Sequence, residues 1–149
     1  MSLSTVRAEV KSILEDVSGI GQVLDYERYS KEWSTYKDIF KSGAHINFIQ
    51  IQRPSFTRIV HGSDSCERVT HNFLFKGAYS LKDEDATEKT FQDLVEGICQ
   101  AFRNKPTLND VAEVVIYPIS GRIYNGMFGN VLCHICEIDV SIRERIVFA

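Results

Sequence analysis

DATEKTFQDLVEGICQAFRN, residues 85 to 104, is the stretch that decides the fold. At the angular step of an α-helix, Phe91, Leu94, Val95, Ile98 and Phe102 fall in one stripe, and Lys89, Gln92, Asp93, Glu96 and Gln100 lie opposite. Asp85 followed by Glu88 has the spacing of a capping box, in which side-chain oxygens satisfy the amide hydrogens that a first helical turn leaves unpaired. Asn104 and Pro106 mark the end. An apolar stripe of this width needs a surface to cover, and apolar strands stand on both sides of it in sequence.

On the N-terminal side, Val6, Val10, Ile13, Leu14 and Val17 share one helical face, and Gly19 follows where a left-handed cap is expected. This predicts a second covering helix. Residues 20 to 26 read as a short strand or extended arm. In the next segment Ser30 caps a short helix bearing Trp33, Tyr36 and Phe40, with an irregular loop across the sheet edge as the alternative. His45 to Arg53 is β-branched and aromatic and stops at Pro54, which has no amide hydrogen for a ladder, so a strand is expected there and another from Ser55 to His61. After the turn-rich GSDSCE, Val69, His71, Phe73 and Phe75 alternate with Thr70, Asn72, Leu74 and Lys76, the period of a third strand.

On the C-terminal side, Ala112 to Ile119 is a β-branched strand, and SGRIYNGMFGN, residues 120 to 130, reads as a glycine-rich connection. From Val131 to Ile146, Leu132, His134, Cys136, Ile138, Val140 and Ile142 share one face, against Cys133, Glu137, Asp139, Ser141 and Arg143 on the other. The sum is an α+β domain over residues 1 to 149: a largely antiparallel sheet with two main helices packed on one face.

The composition agrees with one globular unit: 149 residues, 44% hydrophobic and 25% charged, enough to bury a sizeable core. A formal net charge of -3 disfavours nucleic-acid binding by whole-molecule attraction. No apolar run approaches the roughly 20 residues that span a bilayer, and MSLSTVRAEV lacks the basic-then-apolar order of a secretory signal, so a cytoplasmic origin is expected. Four cysteines in a chain this long read as free thiols.

Chemistry-bearing patterns are few. Cys133-His134-Ile135-Cys136 has the C-x-x-C spacing of a zinc or redox site, but on a strand the two sulfurs face opposite ways and cannot grip one ion. His61, Cys66 and His71 surround one turn, as a cysteine-histidine nucleophile pair would, with no orienting carboxylate or oxyanion element in the pattern. The acidic run Asp83-Glu84-Asp85 lacks the ligand ladder of a calcium loop. Gly121, Gly126 and Gly129 lead into a strand without the Gly-Lys-Ser/Thr ending of a phosphate loop. No catalytic, metal or cofactor residues are assigned. Trp33, Tyr36 and Phe40, with Tyr124, Met127 and Phe128, are aromatic and Met groups outside the predicted regular strands, which suits either core or a protein interface. With Arg53, Arg58 and Arg122 they form the expected interface set.

The order of these elements resembles the tail terminator (tail completion, head-tail joining) proteins of tailed bacteriophages. The likeness runs through VSGIGQVLDYERY, the segment with Trp33, the central meander, TFQDLVEGICQAFRNKPTL, and GMFGNVLCHICEIDVSIRE after the glycine-rich stretch. The resemblance implies a structural virion protein of the tail and neck, assembled in the host cytoplasm. It implies a homo-hexameric ring that caps the tail tube protein, ends tube polymerisation and docks the head-tail connector, with DNA passing through the lumen unbound. No enzyme activity, cofactor or membrane is implied. A heterologous contact closes such a ring, and residues 25 to 45, 53 to 68 and 120 to 130 are the expected surfaces. The alternatives are another neck component, a cysteine-dependent hydrolase using Cys66 with His61 or His71, or a ligand-binding α+β domain.

Overall fold

A computed structural model describes residues 3–26, 41–42, 45–61, 65–128 and 131–148. In chain order these form helix α1 (Leu3–Glu15), strands β1 (Gln22–Leu24), β2 (Lys41–Ser42), β3 (His45–His61) and β4 (Cys66–Ser80), a 3-10 turn at Asp83–Asp85, helix α2 (Thr87–Arg103), and strands β5 (Val114–Phe128) and β6 (Val131–Val147). The sheet order is β1-β3-β4-β6-β5, with β2 also paired to β3. All pairings are antiparallel except that of β1 with β3. The architecture is the expected α+β one.

Both helices lie on the same face. Val6, Val10, Ile13 and Leu14 of α1 join Phe91, Leu94, Ile98 and Phe102 of α2 in one buried cluster with Ile49, Ile51, Phe73, Phe75, Val115, Ile138, Val140 and Ile142 of the sheet. The register explains why these sheet residues meet, because paired residues project to the same side: Ile51 stands opposite Phe75, Phe75 opposite Ile138, and Phe73 opposite Val140. Each buried Phe, Leu or Ile contributes about 1.5–3 kcal/mol by leaving water. A second cluster of Leu24, Ile46, Phe48, Ala78, Cys133 and Ile135 is buried on the opposite face, and Phe128 packs on it with its ring 5.1 Å from that of Phe48.

Three expectations need correction. Pro54 does not end a strand: β3 runs through it, with a bulge between Gln52 and Ser55. A proline is tolerated in this bulge because β1 pairs only with Phe48 to Gln50, so that among the described residues no outer ladder requires its missing amide hydrogen. Residues 120 to 128 are not a connection but the second half of β5, so only residues 129 and 130 separate the last two strands. Gly121 is a strand residue needed for close approach, since a Cβ there would stand 2.9 Å from the Glu137 carbonyl oxygen. The capping box does not form either. Ala86 adopts a left-handed conformation (φ 52°, ψ 45°) just before the helix and no side chain caps it, because the 3-10 turn moves the helix start to Thr87. Gly19, by contrast, has the expected positive φ of 84°. The predicted short helix with Trp33, Tyr36 and Phe40 lies outside the described residues.

Candidate functional site

The four long strands extend beyond the area the helices cover, and this places apolar side chains in water. At one end Phe56, Ile59 and Val60 of β3, Val147 of β6 and Phe148 are about half exposed or more. Pairing of Phe56 with His71 puts it on the helix side, whereas Ile59, opposite Arg68, points to the other side. At the opposite end Met127 and Leu132 are cross-strand partners on the helix side and stand 61% and 47% exposed. Scattered apolar residues are ordinary on a protein surface, and only a large contiguous apolar patch marks a contact surface.

Two stretches of backbone add to this. Among the described residues, β3 has no outer neighbour beyond Gln50, and β5 closes the other side of the sheet with no neighbour beyond it. Open edges carry unpaired amide and carbonyl groups that are templates for another strand. Charge softens both. On β3, Arg53 lies 4.4 Å from the Phe56 ring centre, and Arg58 forms an ion pair with Glu67. Beside β5, Arg122 pairs with Glu137 and stands 5.3 Å from the Tyr124 ring centre.

Of the expected interface set, Arg53 and Arg58 therefore lie along one sheet edge and Arg122, Tyr124 and Met127 along the other. Phe128 is packed in the second cluster, half-buried, so it serves the core. Trp33, Tyr36 and Phe40 are outside the described residues.

The cysteine patterns are taken apart by the pleat. Cys133 is buried in the second cluster and Cys136 in the helix-covered core, on opposite faces. Burial pushes their thiols up to about 11 and about 12 respectively. Cys66 and His71 likewise point to opposite faces of β4, as shown by their pairing with Val147 and with Phe56. His61 stands opposite Cys66 in register. Among the described residues, no three His, Cys, Asp or Glu side chains are placed to hold a metal ion, and no helix is long and apolar enough to cross a membrane.

Two buried histidines form networks that sequence reasoning missed. His134 has its Nδ1 2.9 Å from Asn125 Oδ1 and its Nε2 2.8 Å from the Thr87 hydroxyl, and its ring is stacked on Phe91. An amide oxygen only accepts, so Nδ1 carries the proton and Thr87 donates to Nε2. This hydroxyl, imidazole and amide series has the outline of a nucleophile, base and orienter, and it borders a cavity of about 430 Å3. The Thr87 oxygen is nevertheless committed to the fold, since it also accepts the Lys82 amide hydrogen at 2.9 Å. The series clamps the start of α2 to β6.

His71 lies in the second network. Arg53 Nε donates to its Nδ1 at 3.1 Å, so Nε2 bears the proton and donates to Glu144 Oε1 at 3.1 Å. Burial lowers the His71 pKa, the Glu144 hydrogen bond opposes that, and the positive charge of Arg53 adds to it. The ring is therefore held neutral between a cation and a carboxylate.

Among known proteins, the chain matches no family model and no curated protein.

Proposed function

We propose that this chain is a ring-forming tail terminator of a tailed bacteriophage, a structural protein that caps the tail tube and offers the surface on which the head-tail connector docks. The observation that carries the reading is the pair of different edges that are open among the described residues on opposite sides of one sheet, β3 beyond Gln50 and β5, together with the apolar ends at Phe56, Ile59, Val60, Val147 and Phe148. A cyclic homo-oligomer needs one surface to meet a different surface of the next copy. Two unlike edges supply that requirement, and the exposed apolar groups supply area to bury. The order of helix, meander, helix and closing strand is the one on which the resemblance rests.

In this reading copies associate head to tail until closure stops growth, and the role is binding without catalysis. The partners are further copies of itself, the tail tube protein and the connector. DNA passes through the lumen without specific contacts, as the net charge of -3 allows. Light scattering on the purified protein, alone and mixed with preassembled tail tubes, followed by electron microscopy of tube ends, tests it. A ring mass, or density capping one end of each tube, is expected. A monomer that leaves tube ends bare and tubes still growing would refute it.

A further inference from the structure

Where β1 ends and β3 bulges, α1 and the sheet edge enclose a cavity of about 310 Å3 lined by Arg7, Tyr26, Ile51, Gln52, Arg53 and Pro54. Its electrostatics do not balance. Arg7 is half-buried, and its Nε is sealed from solvent with no hydrogen-bond partner among the described residues. A buried guanidinium donor left unpaired costs about 1–3 kcal/mol or more, which a folded protein seldom carries without a reason. Arg53 donates to His71, but that acceptor is a neutral ring and leaves the guanidinium charge in place. The Glu144 carboxylate lies on the far side of the imidazole, against Nε2. Arg58 close by is already paired with Glu67. Burial and repulsion from Arg58 and Arg7 make the charged form of Arg53 less favourable than in water. Two cations that no carboxylate among the described residues neutralises face one small cavity.

We infer that the cavity between Arg7 and Arg53 is a binding site for an oxyanion, a phosphate or carboxylate group held by the two guanidinium groups that line it. Arginine forks match both anions in shape, and charge-assisted bonds of this kind are about twice as strong as neutral ones. The Gln52 amide at the wall is a further donor. The volume admits a tetrahedral anion or the end of an acidic side chain, so two sources share the chemistry: a free small anion, or a carboxylate presented by a second copy of the chain. The inference does not depend on ring formation, because the first source needs only the monomer.

The test is a titration of the full chain with sodium phosphate and with sodium acetate against sodium chloride of equal ionic strength. Thermal unfolding and the NMR signal of the Arg7 Nε–Hε group are followed together. For a free anion, the Tm rises with the logarithm of its concentration, on the order of 3–6 °C at tenfold excess over Kd. The Arg7 signal moves with it, both effects vanish in Arg7→Gln, and they persist in Lys89→Gln, which lies at another cavity. For a carboxylate from a second copy, the anions compete instead: they lower the associated mass seen by light scattering, and Arg7→Gln and Arg53→Gln lower it without any anion. If Arg7→Gln does not fold, Arg7→Lys keeps the charge but loses the fork and is expected to weaken the response several-fold. An Arg7 signal unmoved by either anion, with mass unaffected by anions and by the variants, would overturn the inference.

Discussion

His71 and Glu144, 73 residues apart in sequence, meet at 3.1 Å between Nε2 and Oε1 with 1% and 2% of their side chains exposed. The contact bridges the two central strands, since His71 belongs to β4 and Glu144 to β6. Among the described residues Glu144 Oε2 has no partner, so there the imidazole proton carries the burden of satisfying a buried carboxylate. Removing it is costly, because a buried acceptor left without its donor costs about 1–3 kcal/mol, and more when the acceptor is charged. His71→Leu is expected to lower stability by about that amount in urea unfolding, whereas the double change His71→Leu with Glu144→Leu recovers part of it. Equal losses in the single and double variants would show that the pair is not coupled.

Acid should act through the same ring. The folded-state His71 pKa lies below its ordinary value of 6.5, chiefly from burial. Folding therefore favours the neutral ring, and the unfolded chain binds the proton more readily. The contribution is fully present above the unfolded pKa near 6.5 and is lost as pH falls below it toward the folded pKa. The urea midpoint is expected to fall between pH 7 and pH 5 and to fall less in His71→Gln. Parallel profiles for the two proteins would remove His71 as the cause.

Thr87 should matter through its hydroxyl and not its shape. Thr87→Val keeps the volume but strips His134 of its donor and the Lys82 amide of its acceptor, at a cost of about 1–3 kcal/mol. Thr87→Ser is expected to stay within about 1 kcal/mol of the parent. Hydrogen exchange at the Lys82 amide reports the loss locally, so unchanged protection there in Thr87→Val would contradict the clamp.

The thiols should separate by burial. Cys66, Cys133 and Cys136 are enclosed, with the last two held near 11 and 12, and only the half-buried Cys99 reaches solvent. Burial beside Glu96 raises the Cys99 thiol as well. A thiol reagent at pH 8 is expected to label at most one cysteine in the native protein, slowly, and four in urea. Fast native labelling of two or more would show that the strands open.

The helices and the closing strand were legible because period alone specifies them: the Phe91 to Phe102 stripe and the alternation from Leu132 to Ile142 read the same in sequence and structure. Pro54 and the glycines of β5 misled for one reason. Their local preference points to a break, yet an edge open among the described residues excuses the proline, and close approach to the Glu137 carbonyl requires Gly121, while Gly126 lies against the end of the Ile135 side chain. The left-handed Ala86 carries no sequence signal, since alanine rarely adopts that conformation. The site residues divide in the same way. Exposed aromatics and arginines stand out in composition, but the networks of His71 with Glu144 and of Thr87 with His134 depend on strand register, which the sequence does not state.

The edge-to-edge reading makes its own demand on Ile59 and Val60, which are 50% and 56% exposed on neighbouring positions of β3 and project to opposite faces. Neither side chain supports the core of the isolated chain, so Ile59→Lys and Val60→Lys should each change unfolding stability by no more than about 0.5 kcal/mol. A charge on that edge is the device by which natural sheets repel a second strand. If the edge is where copies meet, each substitution forfeits an apolar contact worth about 1.5–3 kcal/mol and adds a buried cation, so association should weaken at least tenfold. Light scattering across a concentration series measures this directly. The same substitutions at Met127 and Leu132, at the other end of the strands, separate the surfaces: loss of ring mass there with tubes still capped would assign that end to copy-to-copy contact, and normal rings with bare tubes would assign it to the tube. Full assembly and capping by all four variants would leave the exposed strand ends without a part in the ring, and the proposal would fall.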